Sequence, residues 1–184
     1  HGGPCVANAH PHNADRVAVV HNGIIENFQT LRDALVADGA ELTSQTDTET
    51  IAHLASSYLK QGMTPVDAAR ETLPRLEGAF ALVFLFEGEE DLMIAARRGS
   101  PLVIGQAQGE MYVGSDAIAL APLTNQLIYL EEGDWAVITR AGAEIHDASG
   151  DVVSRAITRI PFENTQVDKS GHRHFMAKEM AEQP

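Results

Sequence analysis

Asn22 and Gly23 are the first residues of the chain whose types and spacing suit carbonyl chemistry. An asparagine amide donates a hydrogen bond, and so does a glycine N–H that no side chain obstructs. Two such donors on neighbouring residues can form an oxyanion hole, which stabilises a carbonyl oxygen as it becomes negative. The same dipeptide is also the strongest short-range signal for a two-residue hairpin turn. A helical pattern follows it instead of a second strand, so the residue types leave both interpretations open.

Asp47, in the stretch QTDTET, is a candidate carboxylate for binding a substrate ammonium group. Its position equally suits an acidic residue in the first turn of a helix, where the helix dipole and capping favour negative charge. Spacing alone favours this structural interpretation. A functional role for Asp47 therefore depends on what else lies beside it.

Histidines and one cysteine raise two further questions, a metal site and a thiol nucleophile. The first stretch contains four histidines, namely His1, His10, His12 and His21. No H-E-x-x-H pattern or cysteine pair accompanies them, and a loop containing Pro11 is a poor rigid chelate, so we expect no metal. Cys5 is the single cysteine, and no helix N-terminus precedes it to activate a thiolate. We expect an inert loop thiol there.

The elements that must position these residues divide into early helices and late strands. The spacing predicts a loop over 1–15, a strand over 16–20 and a possible short strand over 40–44. Helices are predicted from Ile24, after Thr46 and after Thr64, with glycines at their ends. An apolar strand begins at residue 79, and short strands separated by turns follow it. This order indicates an α+β fold with largely antiparallel sheets covered by helices.

Composition narrows the classes of protein and of partner. The chain has 184 residues, of which 44% are hydrophobic and 21% charged, which suits one domain with a real core. Its 13 Lys and Arg against 26 Asp and Glu give a net charge of −13, which argues against nucleic acid and membrane partners. One cysteine, no visible secretory leader and no apolar run of membrane-spanning length predict a cytoplasmic location.

Several separate stretches resemble one family, in the same order along the chain. They are HGGP, VVHNGIIEN, TDTETIAHL, EGAFALVFL, RRGSPLVIG, SDAIAL, LEEGDWAVI and RHFMAKEMAEQP. Together they resemble the glutaminase domain of the glutamine–fructose-6-phosphate aminotransferase family, a branch of the class II glutamine amidotransferases. The closing stretch resembles the junction into that family's sugar-isomerase half. The resemblance implies an N-terminal-nucleophile hydrolase fold, a four-layer αββα sandwich, here lacking its first strand or strands.

The resemblance also implies roles for individual residues. Asn22 and Gly23 match the oxyanion hole, Asp47 matches the residue that holds the α-amino group of glutamine, and His1 and His10 match residues that line the glutamine pocket. The family's nucleophile is a cysteine at the mature N-terminus, whereas residue 1 is histidine and Cys5 does not match that cysteine. The sequence starts inside the family's Arg-Trp-Ala-Thr-His-Gly motif. We therefore expect the nucleophile to be absent from these residues and the chain to be inactive alone.

These matches predict a domain division and a set of partners. Residues 1–162 are expected to form the glutaminase domain, incomplete at its N-terminus, and 163–184 to begin the linker to a sugar-isomerase domain. The expected reaction is hydrolysis of glutamine to glutamate, with the ammonia converting fructose 6-phosphate to glucosamine 6-phosphate without a cofactor. The parent enzyme is expected to be a homo-oligomer. Two alternatives remain, a glutaminase domain of the phosphoribosyl or asparagine-synthesising branch and a non-catalytic binding domain.

Overall fold

A computed structural model describes residues 2–160, which form four α-helices and eleven β-strands. The helices are α1 (Phe28–Ala37), α2 (Asp47–Lys60), α3 (Pro65–Thr72) and α4 (Ala117–Leu120). The strands are β1 (His12–Ala14), β2 (Val17–Ile25), β3 (Gly78–Phe86), β4 (Met93–Arg98), β5 (Val103–Ala107), β6 (Glu110–Gly114), β7 (Gln126–Tyr129), β8 (Trp135–Thr139), β9 (Gly142–His146), β10 (Val152–Val153) and β11 (Ile157–Arg159). His1 and the predicted linker over 163–184 lie outside the described residues.

The strands form two sheets in which the named neighbours pair antiparallel. The larger sheet has the order β1-β2-β3-β4-β8-β9-β10 and the smaller one has the order β11-β7-β5-β6. β2 and β3 pair along their whole length, from Val17 opposite Phe86 to Ile25 opposite Gly78. The prediction of an α+β fold with largely antiparallel sheets is therefore confirmed.

Two apolar cores explain how these elements stack. Side chains alternate across a strand, so one face of the larger sheet can pack on helices while the other meets a second sheet. On the helix side, α1, α2 and α3 bury residues such as Leu31 and Ile51 against Val19 and Phe84. On the other side, residues of β4 and β8 pack against β5 and β7. The short helix α4 packs Leu120 against the smaller sheet.

Local capping signals place the starts of α2 and α3 and the ends of α1 and α2 as predicted. The Thr46 hydroxyl accepts a hydrogen bond from the Glu49 N–H at the start of α2, and α3 begins at Pro65 behind its own threonine cap. Gly39 and Gly62 follow α1 and α2 with φ of 90° and 89°, the left-handed conformation that ends helices at glycine. In the described part of the chain, no helix combines the length and apolarity needed to cross a membrane.

Four local predictions are wrong, three of them for a reason that involves distant residues. The helix predicted after Thr64 ends at Thr72, before a 3₁₀ turn that contains Pro74, and the glycine predicted at its end, Gly78, begins β3 instead. The helix predicted from Ile24 begins only at Phe28, because pairing with β3 keeps the chain extended through Ile25. Residues 40–44 form no strand, since N–H groups in this stretch bind a side chain instead. Residues 12–14, predicted as loop, form a short strand that pairs with β2.

Candidate active site

Asn22 and Gly23 lie inside strand β2, in register with Ala81 and Phe80 of β3. The pair therefore forms neither a hairpin turn nor the strand-to-helix junction that the sequence pattern indicates. Alternation along β2 puts the side chain of Asn22 on the sheet face opposite to the helices. The Asn22 residue is exposed there. Its amide is free to reach a ligand from that face.

At Gly23, one edge of β2 offers a backbone N–H group to a ligand. In an antiparallel strand, the N–H groups of successive residues point to opposite neighbours. The Glu26 N–H points to the β3 side, where it donates to the Glu77 carbonyl, and the Ile25 N–H points the other way. The same alternation directs the Gly23 N–H away from β3. Since β1 pairs only with residues 17–19 of β2, no strand in the described part of the chain pairs with this edge of β2 at position 23.

Glycine is required at position 23 by the close approach of β3. Its φ is 146°, a conformation that side chains rarely adopt. A Cβ atom there would overlap the carbonyl oxygen of Ala79 and lie 2.8 Å from the Cα of Phe80. The bare backbone at this position thus has a packing cause in addition to any chemical one.

Asp47 is the first residue of α2, and its carboxylate is held against β2. Oδ2 accepts a hydrogen bond of 2.8 Å from the Ile25 N–H, two residues beyond Gly23. Oδ1 is buried and has no hydrogen-bond partner among the described residues. A buried carboxylate oxygen without a donor is costly, so this atom calls for a donor from a ligand or water. Asp47 is a first-turn acid, as its spacing indicates, but its carboxylate is also directed at the strand with the candidate donors.

Hydroxyl groups at the start of α2 hold three of the four early histidines. Thr48 Oγ1 lies 3.0 Å from Nδ1 of His21 and 3.3 Å from Nε2 of His10. Thr46 Oγ1 lies 3.0 Å from Nε2 of His12. These bonds connect the loop and strand before residue 22 to the helix that begins with Asp47. The spacing of residues along the chain carries no sign of this role for the threonines.

Burial sets the protonation of two of these imidazoles. Burial lowers the pKa of His21, and the neighbouring histidines add to that effect while Asp47 opposes it. Burial likewise lowers the pKa of His12, with repulsion from His10 as the next cause. Both rings are therefore neutral at pH 7, and each has one nitrogen that donates a hydrogen bond and one that accepts.

A cavity of about 260 Å³ lies between β2, β3 and β6, on the face of the larger sheet opposite to the helices. His10, His21, Asn22 and Ser115 are among the residues that line this cavity. Asp47 and Gly23 are not among its lining residues. The structure thus brings His10, Asn22, Gly23 and Asp47 to one end of β2, with the cavity on one side of the strand and the carboxylate on the other.

Glu49 organises the loop before α2, a role that the sequence signal identified only in part. The spacing of Thr46 and Glu49 predicts a capping box, and the half in which Thr46 caps the Glu49 N–H is present. The Glu49 carboxylate turns instead to Thr43 and Ser44, where it accepts four hydrogen bonds of 2.7–3.0 Å. Burial raises the pKa of Glu49, but these four donors together outweigh it and leave that pKa lowered. The approach to Asp47 is therefore built around a second, ionised carboxylate.

Cys5 and the metal site considered from the sequence do not join this group in the described part of the chain. Cys5 is exposed and precedes a short 3₁₀ turn. Within residues 2–160, no three His, Cys, Asp or Glu side chains are arranged to hold a metal ion. His1 lies outside the described residues, so its relation to the site is not part of this geometry.

Comparison with known proteins assigns the chain to a family. The family model of the glutamine amidotransferase domain matches residues 7–122, more than half of the chain and the region that holds Asn22, Gly23 and Asp47. This chain belongs to the glutamine amidotransferase domain family. Two curated members of comparable sequence are glutamine–fructose-6-phosphate aminotransferases [isomerizing], one from Bradyrhizobium diazoefficiens at 58% identity and one from Brucella suis at 55%. Each alignment covers all 184 residues of this chain and 30% of the relative, so the chain spans about a third of their length.

A solved amidotransferase shows the same fold. The glutamine phosphoribosylpyrophosphate amidotransferase from B. subtilis superimposes with a TM-score of 0.67 at 27% identity. The superposition covers 83% of this chain and 34% of that one. The antiparallel sheets and covering helices are therefore those of an amidotransferase domain in this family.

Proposed function

We propose that this chain is the glutamine-hydrolysing domain of a glutamine–fructose-6-phosphate aminotransferase. The observation that carries the proposal is the position of the Asp47 carboxylate, bound to the Ile25 N–H and left with one oxygen that lacks a partner among the described residues, beside the Asn22–Gly23 segment. A carboxylate and two amide donors at one strand end match the two polar ends of glutamine, its ammonium and its carboxamide. The identity of 58% to one such aminotransferase supports this branch over the phosphoribosyl branch, of which one solved member is 27% identical.

In the proposed reaction, residues of this chain bind the substrate and stabilise charge. Oδ1 of Asp47 accepts a hydrogen bond from the α-ammonium of glutamine, and His10 lines the pocket. A thiolate attacks the carboxamide carbon, and the Asn22 amide and Gly23 N–H donate to the oxygen that becomes negative. The amide nitrogen takes up the proton that the thiol lost, the carbon–nitrogen bond breaks to release ammonia, and water hydrolyses the thioester to glutamate and the free thiol. The ammonia would aminate fructose 6-phosphate in a sugar-isomerase domain of the same parent chain.

We assign the thiolate to none of the 184 residues. Cys5 is their single cysteine, and it is exposed in the loop before β1. The family resemblance implies a nucleophile at a mature N-terminal cysteine, and His1, the other candidate pocket residue, lies outside the described part. We therefore propose that a segment beginning with that cysteine completes the site in the parent protein.

We also propose the finer architecture that the resemblance implies. The fold would be a four-layer αββα sandwich of the N-terminal-nucleophile hydrolase type, in which a first strand or strands add to the part described here. Exposed apolar residues on β2 and β3 support this, since Val20, Ile24 and Leu85 are 42%, 61% and 47% accessible. Residues 1–162 would form this domain and 163–184 the start of a linker.

Glutamine hydrolysis by an extended version of the protein tests the proposal. In this version, called the extended protein below, the residues that precede the matched region of the Bradyrhizobium diazoefficiens relative are joined to His1. We expect the extended protein to release glutamate from glutamine, with unchanged activity in Cys5→Ala. Background turnover in the extended protein, or loss of its activity in Cys5→Ala, would contradict the assignment. With the full-length gene product, formation of glucosamine 6-phosphate from fructose 6-phosphate separates this branch from the others.

A further inference from the structure

The segment of β2 that contains Asn22 and Gly23 is hydrogen-bonded to α2 at both of its ends, and these two hydrogen bonds are called ties below. On the far side, the Ile25 N–H donates to Oδ2 of Asp47 at 2.8 Å. On the near side, Nδ1 of His21 lies 3.0 Å from Oγ1 of Thr48. The two ties reach adjacent residues of the first turn of α2. The donors at 22 and 23 therefore lie on a short backbone span whose two ends are fixed to one turn of helix.

The Thr48 hydroxyl also reaches His10, so it joins two imidazoles. Nε2 of His10 lies 3.3 Å from the same oxygen. A hydroxyl has one proton, so it can donate to only one of the two ring nitrogens and must accept from the other if both bonds form. The tautomer of one ring thereby constrains the tautomer of the other. Thr48 is 1% exposed, which keeps water from replacing either bond.

We propose that Thr48 is a positioning residue whose hydroxyl joins His10 and His21 and so holds the Asn22–Gly23 donors in register with the Asp47 carboxylate. The inference rests on the proposed function for its catalytic consequence. Thr48 itself touches no reacting atom in this proposal. Its effect is on the placement of the oxyanion donors, where a displacement of about 1 Å can cost about 10²-fold in rate.

Thr50 offers a matched control two residues further along the same helix. It is fully buried, as Thr48 is, but its hydroxyl has no hydrogen-bond partner in the described structure. Replacing either threonine by valine exchanges the hydroxyl for a methyl group of nearly the same shape. The Thr50→Val variant therefore measures the effect of the substitution without the loss of a tie.

The test uses Thr48→Val, Thr48→Ser and Thr50→Val in the extended protein. We expect Thr48→Val to lower kcat for glutamine about 10- to 100-fold while KM changes less than about threefold, because Asp47 keeps its own bond to Ile25. Thr48→Ser restores the hydroxyl and should recover kcat to within about threefold, and Thr50→Val should match the unaltered protein. Equal kcat in Thr48→Val and Thr50→Val would overturn the proposal, and so would no recovery in Thr48→Ser.

A spectroscopic measurement tests the tie independently of catalysis. The ¹⁵N chemical shifts of the imidazole nitrogens in the extended protein report the tautomer of each histidine. We expect one fixed tautomer each for His10 and His21, and a shift of both in Thr48→Val but not in Thr50→Val. Averaged tautomers in the unaltered protein would overturn the proposal even if glutamine is hydrolysed. Fixed tautomers in a protein that hydrolyses no glutamine would support the hydrogen bonds of Thr48 to His10 and His21. They would contradict only the proposed function.

Discussion

The backbone N–H of Ile25 donates a hydrogen bond of 2.8 Å to Oδ2 of Asp47. This bond joins two segments that are separated by helix α1 in the sequence, and it holds the carboxylate of a first-turn helix acid against strand β2. It leaves Oδ1 of Asp47 buried without a partner in the described residues. The geometry therefore supports a role for Asp47 in holding an ammonium group next to the candidate oxyanion donors.

Asp47→Asn should weaken glutamine use without unfolding the domain. The asparagine oxygen can still accept from the Ile25 N–H, but the ammonium loses its anionic partner. Loss of one partner of a buried charge pair costs about 2–5 kcal/mol, so kcat/KM of the extended protein should fall about 30-fold or more. Steady-state kinetics measure this, with the exposed Asp38→Asn as the control. Equal kcat/KM in the two variants would show that Asp47 does not bind the ammonium group of glutamine.

Asn22→Ala should slow the chemical step of hydrolysis. Removing one donor of an oxyanion hole typically lowers kcat about 10²–10³-fold. The Asn22 residue is exposed, so the free energy of unfolding should change by less than about 0.5 kcal/mol. Kinetics and denaturant unfolding of the same extended protein check both statements. A variant that keeps its kcat would exclude the Asn22 amide as an oxyanion donor.

Gly23→Ala should destabilise the domain more than a comparable glycine change elsewhere. Gly62 provides the comparison, because its φ is also positive and a Cβ added there would meet no other atom within 4 Å. Gly62→Ala should cost about 1–2 kcal/mol for the backbone conformation alone. Gly23→Ala adds the overlap with the Ala79 carbonyl oxygen, which should raise the cost by about 1–3 kcal/mol. Equal unfolding free energies in the two variants would show that β3 shifts to accommodate the added methyl group.

The stability of the domain should fall as the pH drops from 7.5 to 5.5. Burial lowers the pKa values of His12, His21 and His53 below the ordinary histidine value of 6.5. Between the lowered and the ordinary pKa the unfolded chain binds more protons, so the free energy of unfolding rises with pH across this window. His53→Gln should make that dependence shallower. Denaturant unfolding at the two pH values measures it, and a steeper dependence in the variant would contradict these shifts.

Local signals predicted most helix ends of this fold, but they did not contain the contacts that surround the candidate site. Thr46, Thr64, Gly39 and Gly62 determine helix ends through contacts within a few residues, so the sequence pattern contains the information. The extended conformation of Asn22–Gly23 depends on pairing with β3, a strand that is distant in the sequence. No local pattern reports such a partner. The Asn-Gly pair therefore resembles a turn in the sequence and forms part of a strand in the fold.

The polar contacts around the site illustrate the same limit. Residue types identified Asp47 as a candidate, but the Ile25 N–H that orients it became visible only in the fold. Glu49 has capping-box spacing, yet its carboxylate binds the N–H groups of Thr43 and Ser44. Buried hydroxyls such as that of Thr48 carry no sequence signal, because threonine is common at helix starts for capping alone.

A crystal structure of the extended protein with glutamate bound tests the central claim most directly. We expect the ammonium nitrogen of the ligand within about 3.2 Å of Oδ1 of Asp47, the normal limit for such a hydrogen bond. The side-chain carboxylate, which corresponds to the reacting end of glutamine, should then have an oxygen within the same distance of the Asn22 amide and the Gly23 N–H. Glutamate bound elsewhere, with Oδ1 of Asp47 still lacking a donor, would contradict the assignment of this site.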